Sequence, residues 1–310
     1  MNYLYLKKVT FVELISLESI NKKYGTLDAL CNINIAIKKG SILGLLGPNG
    51  AGKTTIIRIL TGILLPSSGQ YLFEDKPIHK TDFRKIGYLP EERGLYKDMT
   101  VYELLSFLGQ LKKMTRNNLN KKLSYWLERF ELSNFATKKV HELSKGNQQK
   151  IQFITAILHD PELVILDEPF SGFDALNSKL AIEVILDLNQ SGTTFILSTH
   201  QMHTVENLCS HVAMINKGKL ILNSSVAEVK EQFKQNRIKI QGTGHLNPHA
   251  QTFRVLSENK STIHEAILEQ LPQYTSKDIL LELMQNFSLS SFQQVVPGIE
   301  VIFIKALKTK

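Results

Sequence analysis

Three short, almost wholly apolar runs stand out along the chain. They occupy residues 41–46, 162–166 and 194–197. Runs of this length without polar alternation are typical of strands buried on both faces of a parallel sheet. Each run ends where glycine, acidic or hydroxyl residues begin. The pattern therefore predicts an α/β sheet that carries its polar chemistry at the strand ends.

Other segments show the periods of a half-exposed strand and of amphipathic helices. Ile33, Ile35 and Ile37 alternate with polar or small neighbours, which predicts an antiparallel strand. Thr100 and Glu103 form a capping box that opens a helical pattern. One apolar face consists of Leu104, Leu105, Leu108 and Leu111, and a second consists of Leu123, Trp126, Leu127 and Phe130. We expect a helical subdomain whose apolar faces form a core or a groove for a partner helix.

The last part of the chain predicts a small α+β segment. Residues 237–240 and 252–256 have the composition of strands, and residues 261–271 predict a helix ended by Pro272. Residues 299–306 place apolar side chains on one helical face, although their β-branched content also suits a strand.

Length and composition fit a folded chain of two domains. The chain has 310 residues, of which 43% are hydrophobic and 21% charged. We expect an N-terminal extension over residues 1–13, a main domain over 14–235 and an accessory domain over 236–310. Neither a signal-peptide core nor an apolar run of about 20 residues occurs. Any membrane-spanning partner is therefore expected to be another chain.

Charge and cysteine content narrow the possible partners. The net charge of +8 is spread along the chain rather than gathered in a basic block, so we expect no nucleic-acid partner. Weak attraction to anionic lipid head groups remains compatible with it. Cys31 and Cys209 lie far apart, without the spacing of a disulfide framework or a zinc site. We expect two core thiols in a reducing compartment.

A glycine-rich loop joins the first apolar run to a helical pattern. Residues 47–54 read GPNGAGKT, which fits G-x-x-x-x-G-K-[ST], and helically spaced isoleucines follow as far as Gly62. The loop amides and the helix N-terminus would hold phosphates, Lys53 would neutralise the β and γ phosphates, and Thr54 would bind Mg²⁺. The residues expected to bind ATP here are Gly47, Pro48, Asn49, Gly50, Ala51, Gly52, Lys53, Thr54 and Thr55.

Two acids and a histidine follow the other two apolar runs. Asp167 could hold Mg²⁺ through water, and Glu168 could accept the proton of an attacking water. His200 would emerge at the same sheet edge and could hydrogen-bond the γ phosphate or that water. Lys53, Glu168 and His200 are the predicted catalytic residues. Taken alone, an acidic pair is more often a solvated loop or a helix cap, and a lone histidine is usually structural; the phosphate loop earlier in the chain favours the catalytic interpretation.

Residues 143–150 read LSKGNQQK and precede an apolar helical face. They resemble the signature, usually written LSGGQ, of the ABC (ATP-binding cassette) ATPases, and with the motifs above the likeness covers residues 14–230. It implies that two cassettes pair head to tail, with the signature of one pressing on ATP held by the other. Ser144, Gly146 and Asn147 would then contact that ATP. Lys145 and Asn147 depart from the common pattern, and an ordinary helix cap is the alternative.

Three further positions follow from this resemblance. Tyr24 sits where the family stacks an aromatic ring on adenine, although a tyrosine before glycine also suits a plain turn. Asp174 lies in a segment, SGFD, that resembles the loop bridging the two sites. Glu91 occupies the position of the glutamine that couples Mg²⁺ to the membrane partner. A carboxylate there could face Mg²⁺, or could pair with Arg93 or with a basic residue of the partner.

The resemblance implies a P-loop NTPase fold of ABC type. This has a mixed sheet core, an antiparallel β subdomain and a helical signature subdomain, here followed by the small α+β domain. The expected function is an ATP-binding and ATP-hydrolysing subunit of a membrane transporter, with ATP and Mg²⁺ as cofactors. Its expected partners are separate transmembrane permease subunits and a second copy or a paralogous cassette, at the inner face of the cell membrane. The stretch around Glu91 and the C-terminal segment resemble bacterial exporters of sodium ions, antibiotics and drugs.

Two other functions stay open at this point. A soluble ABC ATPase acting on ribosomes or DNA usually carries tandem cassettes or a long coiled coil, and neither occurs in this sequence. A nucleotide sensor without turnover is motivated by Lys145, Asn147 and Glu91. The presence of Glu168 and His200 opposes the sensor.

Overall fold

The computed structural model describes residues 12–92, 94–247, 250–260 and 263–308. The chain folds into two compact units: the first consists of the residues up to Val226 together with those from Ala306 onward, and the second consists of Ala227–Lys305. The predicted extension over residues 1–13 lies almost wholly outside the described residues, and the first strand begins at Glu13. Within the described residues, no helix combines the length and the apolar character needed to cross a bilayer.

The strands of the first unit alternate with helices from residue 42 onward. In chain order the strands are β1 (Glu13–Tyr24), β2 (Leu27–Lys38), β3 (Ile42–Leu46), β4 (Ser68–Phe73), β5 (Lys76–Pro77), β6 (Ile86–Leu89), β7 (Leu163–Asp167), β8 (Thr194–Ser198), β9 (His211–Asn216) and β10 (Lys219–Ser225). The helices are α1 (Lys53–Leu60), α2 (Val101–Leu111), α3 (Arg116–Arg129), α4 (Lys145–Ile157), α5 (Ala175–Gln190) and α6 (Met202–Leu208).

A six-stranded sheet in the order β10-β9-β3-β8-β7-β6 is the centre of this unit. Its strands pair in parallel except for β10, which runs antiparallel to β9. β3, β7 and β8 are buried along their whole length, as the three apolar runs predicted. The register pairs Leu45 with Ser198 and Ser198 with Asp167. The carboxyl ends of the three strands therefore meet at one edge.

A second sheet, in the order β2-β1-β4-β5, is antiparallel. The predicted alternation along β2 is confirmed, because Ile33, Ile35 and Ile37 are buried while their polar or small neighbours are mostly exposed. These isoleucines share a hydrophobic cluster with Leu43 and Leu45 of β3. One apolar core thus joins the two sheets.

The helical subdomain is confirmed in α2 and α3. Thr100 and Glu103 make the predicted capping box at the start of α2. The predicted α3 face, from Leu123 to Phe130, is buried as core. The α2 face is only partly covered, because Leu104 and Leu105 are buried whereas Leu111 is 61% exposed.

Beyond β10 the chain forms α7 (Val226–Gln232), β11 (Arg237–Gly244), β12 (Phe253–Lys260), β13 (His264–Gln270), α8 (Ser276–Leu283), β14 (Phe287–Gln294) and α9 (Ile299–Lys308). The four strands make an antiparallel sheet in the order β12-β13-β11-β14. Ile238, Leu268 and Ile279 belong to the apolar cluster of the second unit. This is the small α+β arrangement that the sequence predicted.

The helix predicted over residues 261–271 is wrong. Residues 264–270 form β13, in which buried Ala266 and Leu268 alternate with half-buried neighbours. The segment pairs with β11 on one side and with β12 on the other. Its short apolar run fits the period of a helix as well as that of a strand, and the pairing with two neighbours favours the strand. Residues 261 and 262 lie outside the described residues. Residues 299–308 form a helix, which settles the alternative left open there.

The expectation of two core thiols holds for one cysteine. Cys209 is buried, and burial raises the pKa of its thiol to about 12. Cys31, on β2, is only half-buried.

Gly87 marks a close approach between β6 and α4. A Cβ at this residue would lie 1.9 Å from the carbonyl oxygen of Ala156, and helix backbone cannot yield by that much. We expect Gly87→Ala to lower the free energy of unfolding by about 1–3 kcal/mol, measured by urea denaturation. The control is Gly94→Ala, whose Cβ would meet no described atom within 4 Å. Equal stability of the two variants would contradict the close approach.

Candidate active site

A cavity of about 670 Å³ opens at the carboxyl ends of β3, β7 and β8. This is the edge of an open α/β sheet at which ligands bind. The predicted site residues in its walls are Tyr24, Asn49, Gly50, Ala51, Gly52, Lys53, Thr54, Thr55, Glu91, Asp167, Glu168 and His200. Residues from five separate parts of the sequence therefore converge on one space.

The loop between β3 and α1 has the backbone shape of a phosphate cradle. Gly50 and Gly52 have φ of 74° and 112°, a region that residues with a Cβ disfavour. A Cβ on Gly52 would also lie 2.8 Å from the Leu30 side chain. No side chain of the described residues caps α1. Its first-turn amides therefore remain available to an anion.

Lys53 folds back over this loop. Its Nζ donates hydrogen bonds to the carbonyl oxygens of Gly47, at 2.7 Å, and Pro48, at 3.1 Å. Burial lowers the pKa of Lys53, while the negative charges of Asp167, Glu168 and Glu91 act in the opposite direction. Gly47 and Pro48 thus serve to hold the lysine where the loop and the acids meet.

Asp167 and Glu168 leave the end of β7 in different directions. Asp167 is 5% exposed, and burial raises the pKa of its carboxyl. Glu168 adopts a left-handed backbone conformation, φ 48°, and its N–H donates to the Ser198 carbonyl oxygen at 2.8 Å. Left-handed backbone is uncommon outside glycine and recurs where a site needs a particular side-chain direction. Both adjacent acids line the cavity, and the negative charge of Asp167 contributes to the raised pKa of Glu168.

Glu168 lies beside the predicted histidine. His200 Nε2 is 3.4 Å from Glu168 Oε1, and Thr199 Oγ1 donates to Glu168 Oε2 at 3.2 Å. Burial raises the pKa of the Glu168 carboxyl, and the neighbouring His200 acts to lower it. Oε1 accepts no well-formed hydrogen bond from the described residues.

The predicted Mg²⁺ ligands Thr54, Asp167 and Glu91 all line the cavity. A hydroxyl and two carboxylates are oxygen donors of the kind that Mg²⁺ accepts. The negative charge of Glu91 contributes to the raised pKa of Asp167, and a cation between them would relieve that repulsion. No group of three or more His, Cys, Asp or Glu in the described residues could hold a metal alone.

Tyr24 is the last residue of β1 and is 44% exposed in the cavity wall. The ammonium of Lys22 lies 5.5 Å from the centre of its ring. Tyr24 thus combines the turn position before Gly25 with a ring face at the cavity. Arg93, offered as a partner of Glu91, lies outside the described residues.

Six predicted residues do not line the cavity: Gly47 and Pro48, which bind the Lys53 ammonium, and Ser144, Gly146, Asn147 and Asp174, which lie elsewhere. Ser144 caps α4, because its Oγ accepts from the Asn147 N–H at 3.2 Å. Asp174 caps α5 through the N–H of Asn177 at 2.8 Å. A Cβ on Gly146 would lie 3.8 Å from the Gly172 carbonyl oxygen, so the two segments are neighbours. Within one chain the latter four residues make two helix N-termini, separate from the cavity.

The turn between β9 and β10 is a part of the wall that the sequence motifs did not reveal. Lys217 and Gly218 line the cavity, and the Gly218 N–H donates to the Ala51 carbonyl oxygen at 2.9 Å. Gly218 has φ 73°, and a Cβ there would lie 2.6 Å from the Ala29 carbonyl oxygen. Asn216-Lys217-Gly218 reads as a turn in the sequence. Only the tertiary fold brings that turn to the phosphate loop.

Comparisons with known proteins agree with this geometry. Residues 30–171 match the family model described as ABC transporter, and residues 225–307 match the C-terminal domain of DrrA1-3-like ATP-binding proteins. An uncharacterized ABC transporter ATP-binding protein of Bacillus subtilis, YhaQ, is 38% identical over 94% of this chain and 98% of its own length. The linearmycin resistance ATP-binding protein LnrL of the same organism is 30% identical over 93% and 96%.

Solved structures show the same likeness. The structure of an ATP binding subunit of an ABC transporter superposes with a TM-score of 0.68 and 26% identity, and the match covers 71% of this chain and 93% of that one. The fold class predicted from the sequence is confirmed.

Lys53 provides a direct test of the phosphate loop. We expect Lys53→Ala to weaken binding of a fluorescent ATP analogue by about tenfold to a hundredfold, because a charge-assisted contact to the phosphates is lost. The affinity is measured by fluorescence titration. Lys277→Ala, at an exposed lysine of the second unit, should bind as the unaltered chain does. Unchanged affinity of the Lys53 variant would refute the assignment of the loop.

Proposed function

Because this chain belongs to the ABC transporter family of ATP-binding, ATP-hydrolysing subunits, we propose that its cavity holds Mg-ATP and that hydrolysis there powers an exporter. The observation that carries this proposal is the convergence of Lys53, Asp167, Glu168 and His200 at one sheet edge. Lys53 follows the loop after β3, Asp167 and Glu168 lie at the end of β7, and His200 lies just beyond β8. Their joint position in a cavity beside a glycine cradle is the arrangement that phosphoryl transfer to water requires.

In this proposal, different residues of the chain bind the phosphates, the adenine and Mg²⁺. The loop amides and Lys53 bind the phosphates, and the ring of Tyr24 stacks on adenine at the cavity wall. Thr54, Asp167 and Glu91 would hold Mg²⁺, which supplies Lewis-acid stabilisation of charge on the phosphates when it is bound. These contacts orient the γ phosphate toward Glu168.

Glu168 takes the proton of the attacking water. Its raised pKa brings the carboxyl closer to the acidity that suits a general base near neutral pH. His200, at 3.4 Å, and Thr199, at 3.2 Å, orient that carboxylate. From the same position His200 can donate a hydrogen bond to the γ phosphate.

A second copy, or a paralogous cassette, completes each site in this proposal. Ser144, Gly146 and Asn147 stand at the N-terminus of α4, which carries a positive partial charge suited to a phosphate. They lie outside the cavity of their own chain, and in this proposal they meet ATP held by another copy. Asp174, beside them in the fold, would bridge the two sites.

The membrane partners are separate permease subunits, which would hold this chain at the inner face of the cell membrane. The exporter direction rests on the relative LnrL, whose name assigns it to linearmycin resistance, and on the DrrA1-3-like domain. We assign residues 236–310 to an accessory domain of that complex.

The alternatives receive less support. The relatives described above are transporter subunits, and none of them is named for action on ribosomes or nucleic acid. A sensor without turnover would not need a carboxylate and an imidazole in contact beside the phosphate loop, where Glu168 and His200 lie.

Glu168→Gln separates binding from hydrolysis. The amide cannot accept the proton of water, so we expect phosphate release to fall at least about a hundredfold while ATP still binds. Unhydrolysed ATP should then hold two chains together, which light scattering after gel filtration detects as a doubled mass. Glu183→Gln, on the exposed side of α5, is the control. Phosphate release at the normal rate in the Glu168 variant would contradict the role of Glu168 as the general base.

A further inference from the structure

Two buried glutamines lie on one face of α4, three positions apart. Gln149 is 4% exposed and Gln152 is 2% exposed. Buried amides require hydrogen-bond partners, and the side-chain nitrogens of both residues find them outside their own helix, whereas Gln152 Oε1 accepts no hydrogen bond from the described residues. Gln149 Nε2 donates to the carbonyl oxygen of Pro169 at 3.2 Å. That carbonyl directly follows Glu168.

Gln152 binds the second acid-bearing loop of the cavity, the one that carries Glu91. Its Nε2 donates to the carbonyl oxygens of Pro90, at 2.9 Å, and Glu92, at 3.3 Å. These carbonyls belong to the residues on either side of Glu91. Because both partners are acceptors, the side-chain NH₂ group must face the loop. The Gln152 side chain thus fixes the backbone on both sides of Glu91, which lines the cavity.

We propose that Gln152 is a positioning residue. It orients the Glu91 carboxylate toward Mg²⁺ and links this carboxylate to α4, the helix that Ser144 caps. The inference rests on the proposed function, since it gives Glu91 a role toward Mg-ATP. Ser144 and Gln152 are eight positions apart, roughly 12 Å along a helix. A displacement of α4 by a neighbouring copy would therefore reach Glu91 through two hydrogen bonds. In return, Glu91 on a bound cation would fix α4.

Rigid packing around Gln152 makes this link direct. Its neighbours Ile151 and Phe153 on α4 are fully buried. Gly87 of β6 lies against the same helix at Ala156, with no room for a Cβ. The loop after β6 therefore has little freedom to move independently of α4.

The test uses the full chain and a fluorescent, non-hydrolysable ATP analogue, titrated with Mg²⁺. The readout is the Mg²⁺ concentration that gives half-maximal binding of the nucleotide. Gln152→Met keeps the volume of the side chain and removes both donors. We expect it to raise this midpoint about tenfold, as loss of a group that orients a metal ligand does. In a Glu91→Ala background the same substitution should produce no further shift.

Asn189→Leu is the matched control. Asn189 Nδ2 also bridges two carbonyl oxygens, those of Gly40 at 3.0 Å and Thr193 at 2.9 Å, and none of these residues lines the cavity. This variant loses the same number of hydrogen bonds, so its thermal unfolding midpoint should fall, but its Mg²⁺ midpoint should stay at that of the unaltered chain. If Gln152→Met does not fold, Gln152→Asn retains the amide and is one methylene too short to reach the loop. It too should raise the Mg²⁺ midpoint.

Three results would overturn the inference. They are an unchanged Mg²⁺ midpoint in a folded Gln152 variant, an equal shift in the presence and absence of Glu91, and an equal shift in Asn189→Leu. Each would leave Gln152 with a purely structural role. If the unaltered chain itself binds no nucleotide in the presence of Mg²⁺, the proposed function fails instead, and the two failures are distinguishable.

Discussion

The parallel register of β3, β7 and β8 is the constraint on which the rest of the site depends. Every residue of these strands is buried, so they cannot slide without moving apolar side chains out of the core. The register places Asp167 beside Ser198 and Ser198 beside Leu45. The phosphate loop begins directly after β3, and the acids and the histidine lie at or just beyond the ends of β7 and β8. Apolar packing therefore sets where the chemistry meets.

Helix α4 extends this fixed geometry from the sheet to the loops that follow β6 and β7. An amide buried without partners is destabilising, so Gln149 and Gln152 fix the loops whose carbonyls they bind. Those loops hold Glu168 and Glu91, while Ser144 caps the other end of α4. The same rigid helix is therefore bonded to both acid-bearing loops and carries the N-terminus that we propose meets a second copy. In that proposal, α4 couples the two sites.

Local patterns predicted the parts of the molecule that depend on local physics. The three buried strands, the Thr100 capping box and the glycine loop each have a short sequence signature that tertiary contacts do not alter. The strand at residues 264–270 was missed, because its pairing with two neighbours outweighs an ambiguous period. Gln152 has no local sequence signal, and the turn signal at Gly218 does not indicate that it reaches the cavity. Their roles arise from contacts with residues 60 or more positions away along the chain, or from a turn that only the fold brings to the cavity.

Amide hydrogen exchange with and without Mg-ATP tests the coupling of the cavity to α4 most directly, because it reports on both in one measurement. We predict slower exchange in the phosphate loop, residues 47–55, together with slower exchange in residues 86–92 and 144–152 when Mg-ATP is present. ATP with a chelator of Mg²⁺ should protect the phosphate loop and leave the other two segments less protected. Unchanged exchange in all three segments at saturating Mg-ATP would contradict both the assignment of the cavity and its link to α4.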